Sequence, residues 1–472
     1  MKKFSIEFTR RRFMQTAAAA IASPLVIPRN VLAQNGQPGA NDTVKVAIVG
    51  LGGRTNHLYP TSVKPIPEVR VVAVSDLMQP RIDAFMKRHD GFKPEQGYTD
   101  FRKMIETEKP DGLMAETSTH QRAWVSVHAM LMGCHVYIEK CMSLTVAEGR
   151  AMVNTARKYK RITQVGSQHR SFPLCIEACR QIQAGMIGKV KLIEVPNFVG
   201  PNLWEDKPGQ PYLDGMNDAV WDEWTNQAPL RPFHDELYRR WENWRDFDGG
   251  GRTFGVTGWG THSYDHINMV LGTDDSGPVS IQLDEPVSIQ DSGKFDNRKP
   301  DADETGAVYY GMAKVRGPRA KMTMLYADGT KIRYVFDGDR GPGLGAVITG
   351  EKGKIELNRY KAVSNPKEIA EALIEKVPEN YRDAARKNAQ FDGTVIHVQN
   401  WIDGIKSGKP CSADIEIGHR TTTLCHLVNI VREVGKPGEK IAWDPVKERF
   451  PGNENANKLL SRERRKGYEL PE

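Results

Sequence analysis

The sequence predicts an α/β protein: an N-terminal doubly wound parallel sheet, followed by a C-terminal α+β domain with an open, mostly antiparallel sheet. Three observations carry this expectation. Short apolar runs alternate with helical patterns from residue 44 to residue 166. A glycine turn follows the first run directly. Beyond residue 166 the apolar periodicity shifts toward the two-residue alternation of half-buried strands.

The first run, Val44-Lys45-Val46-Ala47-Ile48-Val49, has the continuous apolar, β-rich character that a strand buried on both faces requires. Further strands are expected over 69–75, 112–116, 135–138 and 162–165. Helical patterns separate them at 80–89, 101–107, 121–132 and 146–159. In the second domain, strands are expected over 190–199, 279–283, 307–315, 321–326 and 331–336. Ala327-Asp328-Gly329-Thr330 is a hairpin turn between the last two. The stretch 201–252 carries Trp204, Trp221, Trp224, Trp241 and Trp244 with few strand patterns, and reads as an insertion over the mouth of a site. Its rings either stack on a ligand or simply pack a long loop; the sequence leaves both open.

The chain has 472 residues, is 39% hydrophobic and 26% charged, and carries a formal charge of +7. That profile excludes a disordered tail protein, a collagen-like fibre and a polytopic membrane protein. Six of the basic residues and one acid fall within residues 1–33, so most of the positive charge is local to the N-terminus. There, Thr9-Arg10-Arg11-Arg12-Phe13 precedes a short Ala-rich run and Val31-Leu32-Ala33, a small-x-small cleavage pattern. The arginines resemble the twin-arginine export signal, and the run is too short to span a bilayer. Residues 1–33 are therefore expected to be an export leader, 34–43 a linker, 44–166 the first domain and 167–472 the second. Export would place the protein in the periplasm or otherwise outside the cytoplasm, through the twin-arginine translocation machinery. The nearly balanced remainder and the lack of a recognition motif argue against a nucleic-acid partner. The six cysteines form no CxxC pair and no Cys/His cluster of zinc spacing, so no metal site is expected.

The glycine turn has a chemical reading. Gly50 permits the tight turn, Gly52 lets backbone approach a pyrophosphate, and Gly53 and Arg54 open the following helix, whose N-terminus offers N–H donors. Thr55 takes the place of the usual third glycine. Asp76 ends the second strand, where a carboxylate accepts hydrogen bonds from ribose hydroxyls and repels a 2′-phosphate. The expected cofactor is thus NAD rather than NADP.

Val136-Tyr137-Ile138-Glu139-Lys140-Cys141 resembles the Glu-Lys-Pro signature of the glucose–fructose oxidoreductase / inositol dehydrogenase / rhizopine catabolism (Gfo/Idh/MocA) family. Gln164-Val165-Gly166-Ser167-Gln168-His169-Arg170, Trp221-x-x-Trp224, Gly249-Gly250-Gly251-Arg252, Gly258-Trp259-Gly260-Thr261-His262-x-x-Asp265 and Ile415-Glu416-Ile417-Gly418-His419-Arg420 are similar to an exported branch of it. The resemblance covers essentially the whole chain after the leader. It implies a Rossmann domain, a sugar or sugar-derivative substrate, a homo-oligomer, and Thr117, His120, Glu139, Lys140 and Gln168 as further cofactor-binding residues. It also implies Lys140 as the donor to a substrate hydroxyl oxygen and His262 as the general base, with Asp265 orienting an imidazole or binding a hydroxyl.

Three departures from the family pattern matter. Gly258 stands where the family has an aspartate, Cys141 replaces the signature proline, and Arg122 stands at a usual histidine position. Two enzymatic readings follow. One is an exported NAD-dependent sugar oxidoreductase that holds its nucleotide tightly, since an exported enzyme has no soluble NAD pool. The other is a redox-neutral glycosidase or lyase that oxidises the sugar transiently. A non-enzymatic binding protein with a decayed site is the third and weakest reading, given the intact glycine turn, Asp76 and Glu139-Lys140.

Overall fold

Six parallel strands form the first sheet: β1 (Val44–Val49), β2 (Val69–Ser75), β3 (Gly97–Tyr98), β4 (Gly112–Ala115), β5 (His135–Ile138) and β6 (Thr163–Val165). Their order is β3-β2-β1-β4-β5-β6. The computed structural model describes residues 39, 42–251, 254–292, 301–302, 308–309, 315–337, 342–387 and 393–471. The expected leader lies outside the described residues, as do most of the linker and much of the strand expected over 307–315. Of Met1–Thr43, a separate unit, only Gly39, Asp42 and Thr43 are described.

The strands form where the sequence is apolar without interruption, because both faces of the sheet are covered. Val46, Ala47 and Ile48 are almost wholly buried. Helices Gln79–Arg88, Phe101–Glu108, Thr119–Leu131 and Val146–Lys158 supply much of the covering layers. Their ends carry local signals. Pro80 opens the first, Asp100 accepts the Arg102 N–H, and Thr145 accepts the Glu148 N–H. The short strand β3 at the sheet edge carries no apolar run and is formed by tertiary pairing with β2.

The second sheet has eight strands, in the order Ala362–Asn365, Lys354–Leu357, Ala346–Gly350, Val190–Pro196, Lys331–Phe336, Met322–Leu325, Ser280–Leu283 and Lys440–Ala442. Only the pairing of Val190–Pro196 with Lys331–Phe336 is parallel. The hairpin between Met322–Leu325 and Lys331–Phe336 turns at Gly329, whose φ is +91°. Helices Pro173–Gln183, Thr261–Leu271 and Ile415–Val434 share one core with this sheet.

The two domains interlock. Helix Thr394–Ser407, late in the chain, packs back on the first domain, with Trp401 fully buried and its ring 5.8 Å from that of Tyr137 on β5. A Cβ on Gly112 would lie 2.7 Å from Trp401, so β4 can accept that ring only with glycine at its first position. Among the described residues, no helix is long and apolar enough to cross a membrane. All six cysteines are buried and free.

Candidate active site

A cleft of about 480 Å³ opens at the C-terminal ends of the parallel strands. It lies where the strand order reverses between β1 and β4, the switch point at which open α/β sheets bind their ligands. The turn after β1 forms its floor. Gly50 has φ +92°, and a Cβ there would sit 2.9 Å from the Glu116 backbone, so only glycine lets the turn pass beneath the end of β4. Thr55, at the third-glycine position, donates its hydroxyl to the Gly50 carbonyl and locks the turn to the helix that follows.

Gly50, Gly52, Gly53, Arg54, Asp76, Thr117, Glu139, Lys140, Gln168 and His262 all line this one cleft. Asp76 accepts the Leu51 N–H at 2.9 Å and the Met78 N–H at 3.1 Å, which ties the end of β2 to the glycine turn. Arg54 Nε donates to Glu139 Oε1 at 2.8 Å, and Gln168 Nε2 to the same oxygen at 3.3 Å. Burial alone would push the Glu139 carboxyl up; the Arg54, Lys140 and Arg122 charges hold it below its usual value. Glu139 is thus an anchored anion that organises three cations around the strand ends.

Lys140 Nζ donates to the Gly258 carbonyl at 3.2 Å. At Gly258 this chain offers only backbone to the lysine. Burial lowers the Lys140 ammonium, with Glu139 opposing. His262 faces the same cleft, and its Nδ1 has no partner among the described residues. Burial, reinforced by the Arg359 and Lys140 charges, drives the His262 imidazole well below its ordinary value, so it is neutral at neutral pH.

Two expected site residues are elsewhere. Asp265 does not line the cleft. It lies one helical turn beyond His262, fully buried, where Arg170 reaches it at 2.6 Å and the Thr421 hydroxyl at 2.5 Å. Burial would raise its carboxyl, but Arg170 and His169 hold it far below the carboxylate range. The imidazole it touches is that of His169, at 2.8 Å, rather than that of His262. It is therefore a positioning anion, covered because its place on the helix faces the interior. His120 is also away from the cleft. Its Nε2 lies 2.7 Å from the Trp224 carbonyl, and its ring meets Trp224 and Phe247 edge-on. Burial lowers it to about 3, so it is a neutral peg joining the first domain to the insertion.

The insertion is organised around its own aromatic core. Trp221 and Trp224 stack with ring centroids 4.9 Å apart, and Phe233, Tyr238 and Phe247 pack around them. Packing accounts for most of the rings; Trp224 and Trp241 also reach the cleft wall.

Glu116, Asp248 and Arg359 are among the lining groups that sequence reasoning missed. Glu116, at the end of β4, is buried with both carboxyl oxygens unpartnered among the described residues. Asp248 is buried at the end of the insertion, and Arg359 comes from the second domain. An acid closing an otherwise apolar strand was a usable signal for Glu116; the other two carry none, since their neighbours in the cleft are distant in sequence. Arg122, noted only as a departure, donates to the carbonyls of Thr117 and Cys141 and so ties the ends of β4 and β5 together.

A Rossmann sheet with a glycine turn, an acid ending β2 and a lysine at the mouth defines an NAD-binding oxidoreductase-type fold with a second α/β domain. Family models for the oxidoreductase NAD-binding Rossmann fold and the oxidoreductase C-terminal alpha/beta domain match residues 44–167 and 178–470. The chain belongs to the Gfo/Idh/MocA family. It is 27% identical over 146 residues to scyllo-inositol 2-dehydrogenase (NAD(+)) of Bacillus subtilis, covering 31% of this chain and 42% of that protein. It is 25% identical over 126 residues to glycosyl hydrolase family 109 protein 1 of Akkermansia muciniphila, covering 25% and 26%. The matches span half or less of these relatives' lengths. Aldose-aldose oxidoreductase from Caulobacter crescentus, solved with glycerol, shares the fold at a TM-score of 0.55 and 14% identity, covering 85% of this chain and 99% of that one.

Proposed function

We propose that this protein is an exported, NAD-dependent oxidoreductase acting on a hydroxyl group of a sugar or sugar derivative. The observation that carries the reading is the pairing of a partly buried ammonium, Lys140, with a buried, neutral imidazole, His262, whose Nδ1 has no partner among the described residues, in one cleft beside the glycine turn and Asp76. Those residues fit a dinucleotide: Gly50 leaves room for close backbone approach, and Asp76 ends β2 where ribose hydroxyls would bind. Bound NAD supplies the hydride acceptor. The protein supplies the proton chemistry. His262 accepts the proton of the substrate hydroxyl, and Lys140 donates a hydrogen bond to the oxygen as negative charge develops there.

The names of the relatives, an inositol dehydrogenase and an aldose oxidoreductase, support a polyhydroxylated substrate. The Thr9-Arg10-Arg11-Arg12-Phe13 leader supports export by the twin-arginine route with the nucleotide already in place and tightly held, and the family supports a homo-oligomer. Denaturing the purified mature protein should release about one NAD per chain. Absence of any nucleotide, together with no binding of added NAD, would overturn the reading. Replacing Arg10 and Arg11 by Lys should retain the protein in the cytoplasm; unchanged export would remove that part.

A second reading is a redox-neutral glycosidase of the same fold, favoured by the likeness to the family 109 hydrolase and by the missing acid at Gly258. Release of nitrophenol from nitrophenyl glycosides without net NADH would support it. NADH accumulation with a free polyol, and no nitrophenol release, decides for the dehydrogenase.

A further inference from the structure

The turn Val256–Gly260, which leads into the helix carrying His262, has no acid at Gly258, yet the cleft contains a carboxyl group that no motif announces. Asp248 is only 3% exposed and lines the cleft together with Lys140, Gly258 and His262. Its Oδ1 has no hydrogen-bond partner among the described residues. A buried carboxyl with a vacant acceptor is costly unless a ligand completes it.

Its position is fixed from both sides. Phe247, immediately before it, packs at 5.2 Å on Trp224 and 4.8 Å on His120. The Asp248 N–H donates to the Trp244 carbonyl. After it, the glycines run against other backbone. A Cβ on Gly249 would lie 2.5 Å from the Thr257 methyl, and one on Gly250, at φ +135°, 2.7 Å from the Val199 carbonyl. Thr257 is the residue before Gly258. The insertion therefore delivers a carboxyl beside the turn that contains Gly258.

We propose that Asp248 is the substrate-binding acid of this site, accepting a hydrogen bond from a substrate hydroxyl beside Lys140 and taking the place of the carboxylate missing at Gly258. The proposal rests on the sugar-oxidoreductase reading above. Asp248 takes no part in bond breaking. It orients a hydroxyl and supplies negative charge that favours the protonated form of Lys140. The other groups that Lys140 senses are Glu139, which also favours the ammonium, and Arg122 and Arg54, which disfavour it. Burial pushes the Asp248 carboxyl above its ordinary value, opposed by the Gly249 N–H, the Arg122 charge and the hydroxyls of Thr257 and Thr119. His262, beside Lys140, is neutral and adds no charge. Of the two acids whose charge reaches Lys140, Glu139 is committed to Arg54 and Gln168, which leaves Asp248 to meet substrate there.

The test uses the full mature chain and the variants Asp248→Asn and Asp248→Ser, with folding checked by thermal unfolding. Added NAD+ reports the cofactor site, and myo-inositol and D-glucose are the substrate probes. The proton on Lys140 is followed as its rate of reductive methylation against pH, read at the Lys140 peptide by mass spectrometry. Affinity for NAD+ should stay within about threefold of wild type, because no hydrogen bond joins Asp248 to the glycine turn among the described residues. The Lys140 midpoint should fall by about one pH unit when the negative charge is removed. KM for whichever probe turns over should rise ~100-fold, the effect of losing a charged hydrogen-bond acceptor. An unchanged Lys140 midpoint in a folded variant overturns the proposal, as does an unchanged KM. Failure of wild type to bind NAD+ would instead sink the oxidoreductase reading, while the lysine midpoint would still decide the role of Asp248.

Discussion

Replacing Glu116 by glutamine should stabilise the nucleotide-free protein, and only at neutral to alkaline pH. Glu116 is 8% exposed, and neither carboxyl oxygen has a partner among the described residues. Burial, with Glu139 reinforcing it, pushes the Glu116 carboxyl up to about 8 against the opposing charges of Arg54 and Arg122. In the unfolded chain the same group titrates near 4.5. Between these two values the folded protein keeps a proton that the unfolded chain has released, so stability falls as pH rises through that window and the penalty is complete above about pH 8. The separation corresponds to at most ~5 kcal/mol. Water entering the open cleft screens the buried charge and brings the expected figure to about 2–3 kcal/mol. The amide has nearly the same shape and no charge, so Glu116→Gln removes the pH-dependent part alone. Urea unfolding of wild type and variant at about pH 5 and about pH 8.5 measures it. The variant should gain nothing at the lower pH and about 2–3 kcal/mol at the higher. An equal difference at both pH values would show that Glu116 is not held protonated, and the reasoning from its burial would fail. The same chemistry bears on function. A neutral Glu116 adds no negative charge next to the turn expected to meet a pyrophosphate, so wild-type affinity for NAD should weaken above about pH 8 and that of the variant should not.

Other expectations follow from the same geometry. Gly50→Ala should cost about 2 kcal/mol and abolish NAD binding, because the Cβ meets backbone at 2.9 Å in a left-handed conformation; thermal unfolding and NAD titration read both effects. Asp265→Asn should destabilise by about 3–5 kcal/mol, since it leaves Arg170 and His169 buried without their shared anion, and urea unfolding would show it. Lys140→Met should leave NAD affinity near wild type while reducing turnover by about 10²–10³-fold, measured as NADH formation with a reactive polyol. Wild-type kcat/KM should stay flat from about pH 6 to 8 and decline only well below, because the depressed His262 is already deprotonated there; a rate that rises through pH 6.5 would assign the base elsewhere.

Much of the first domain was legible because its signals are local. The five strands expected from apolar runs form within a few residues of their expected limits, and two of the helices between them carry side-chain caps, from Asp100 and Thr145. Only β3 was missed: it is two residues long and exists because β2 offers it an edge. The turn at Gly50, the acid at Asp76 and the Glu139-Lys140 pair could be read because each combines a residue type with a place at a strand end. Sequence could not separate His262 from Asp265, one helical turn apart on neighbouring parts of the helix surface. The tertiary fold turns one to the cleft and covers the other with Arg170. His120 fell the same way, claimed by the insertion through the Trp224 carbonyl.

The sequence by itself determined the parallel sheet, the glycine turn, the identity of a dinucleotide site and the lysine at its mouth, since all depend on neighbours within one βαβ unit. Only the tertiary structure decided which further acids and cations share the cleft with that lysine. Glu116, Arg122, Asp248 and Arg359 converge from two domains and an insertion. Their charges act through space across a buried cleft, and a distance of that kind is set by how layers pack rather than by spacing along the chain.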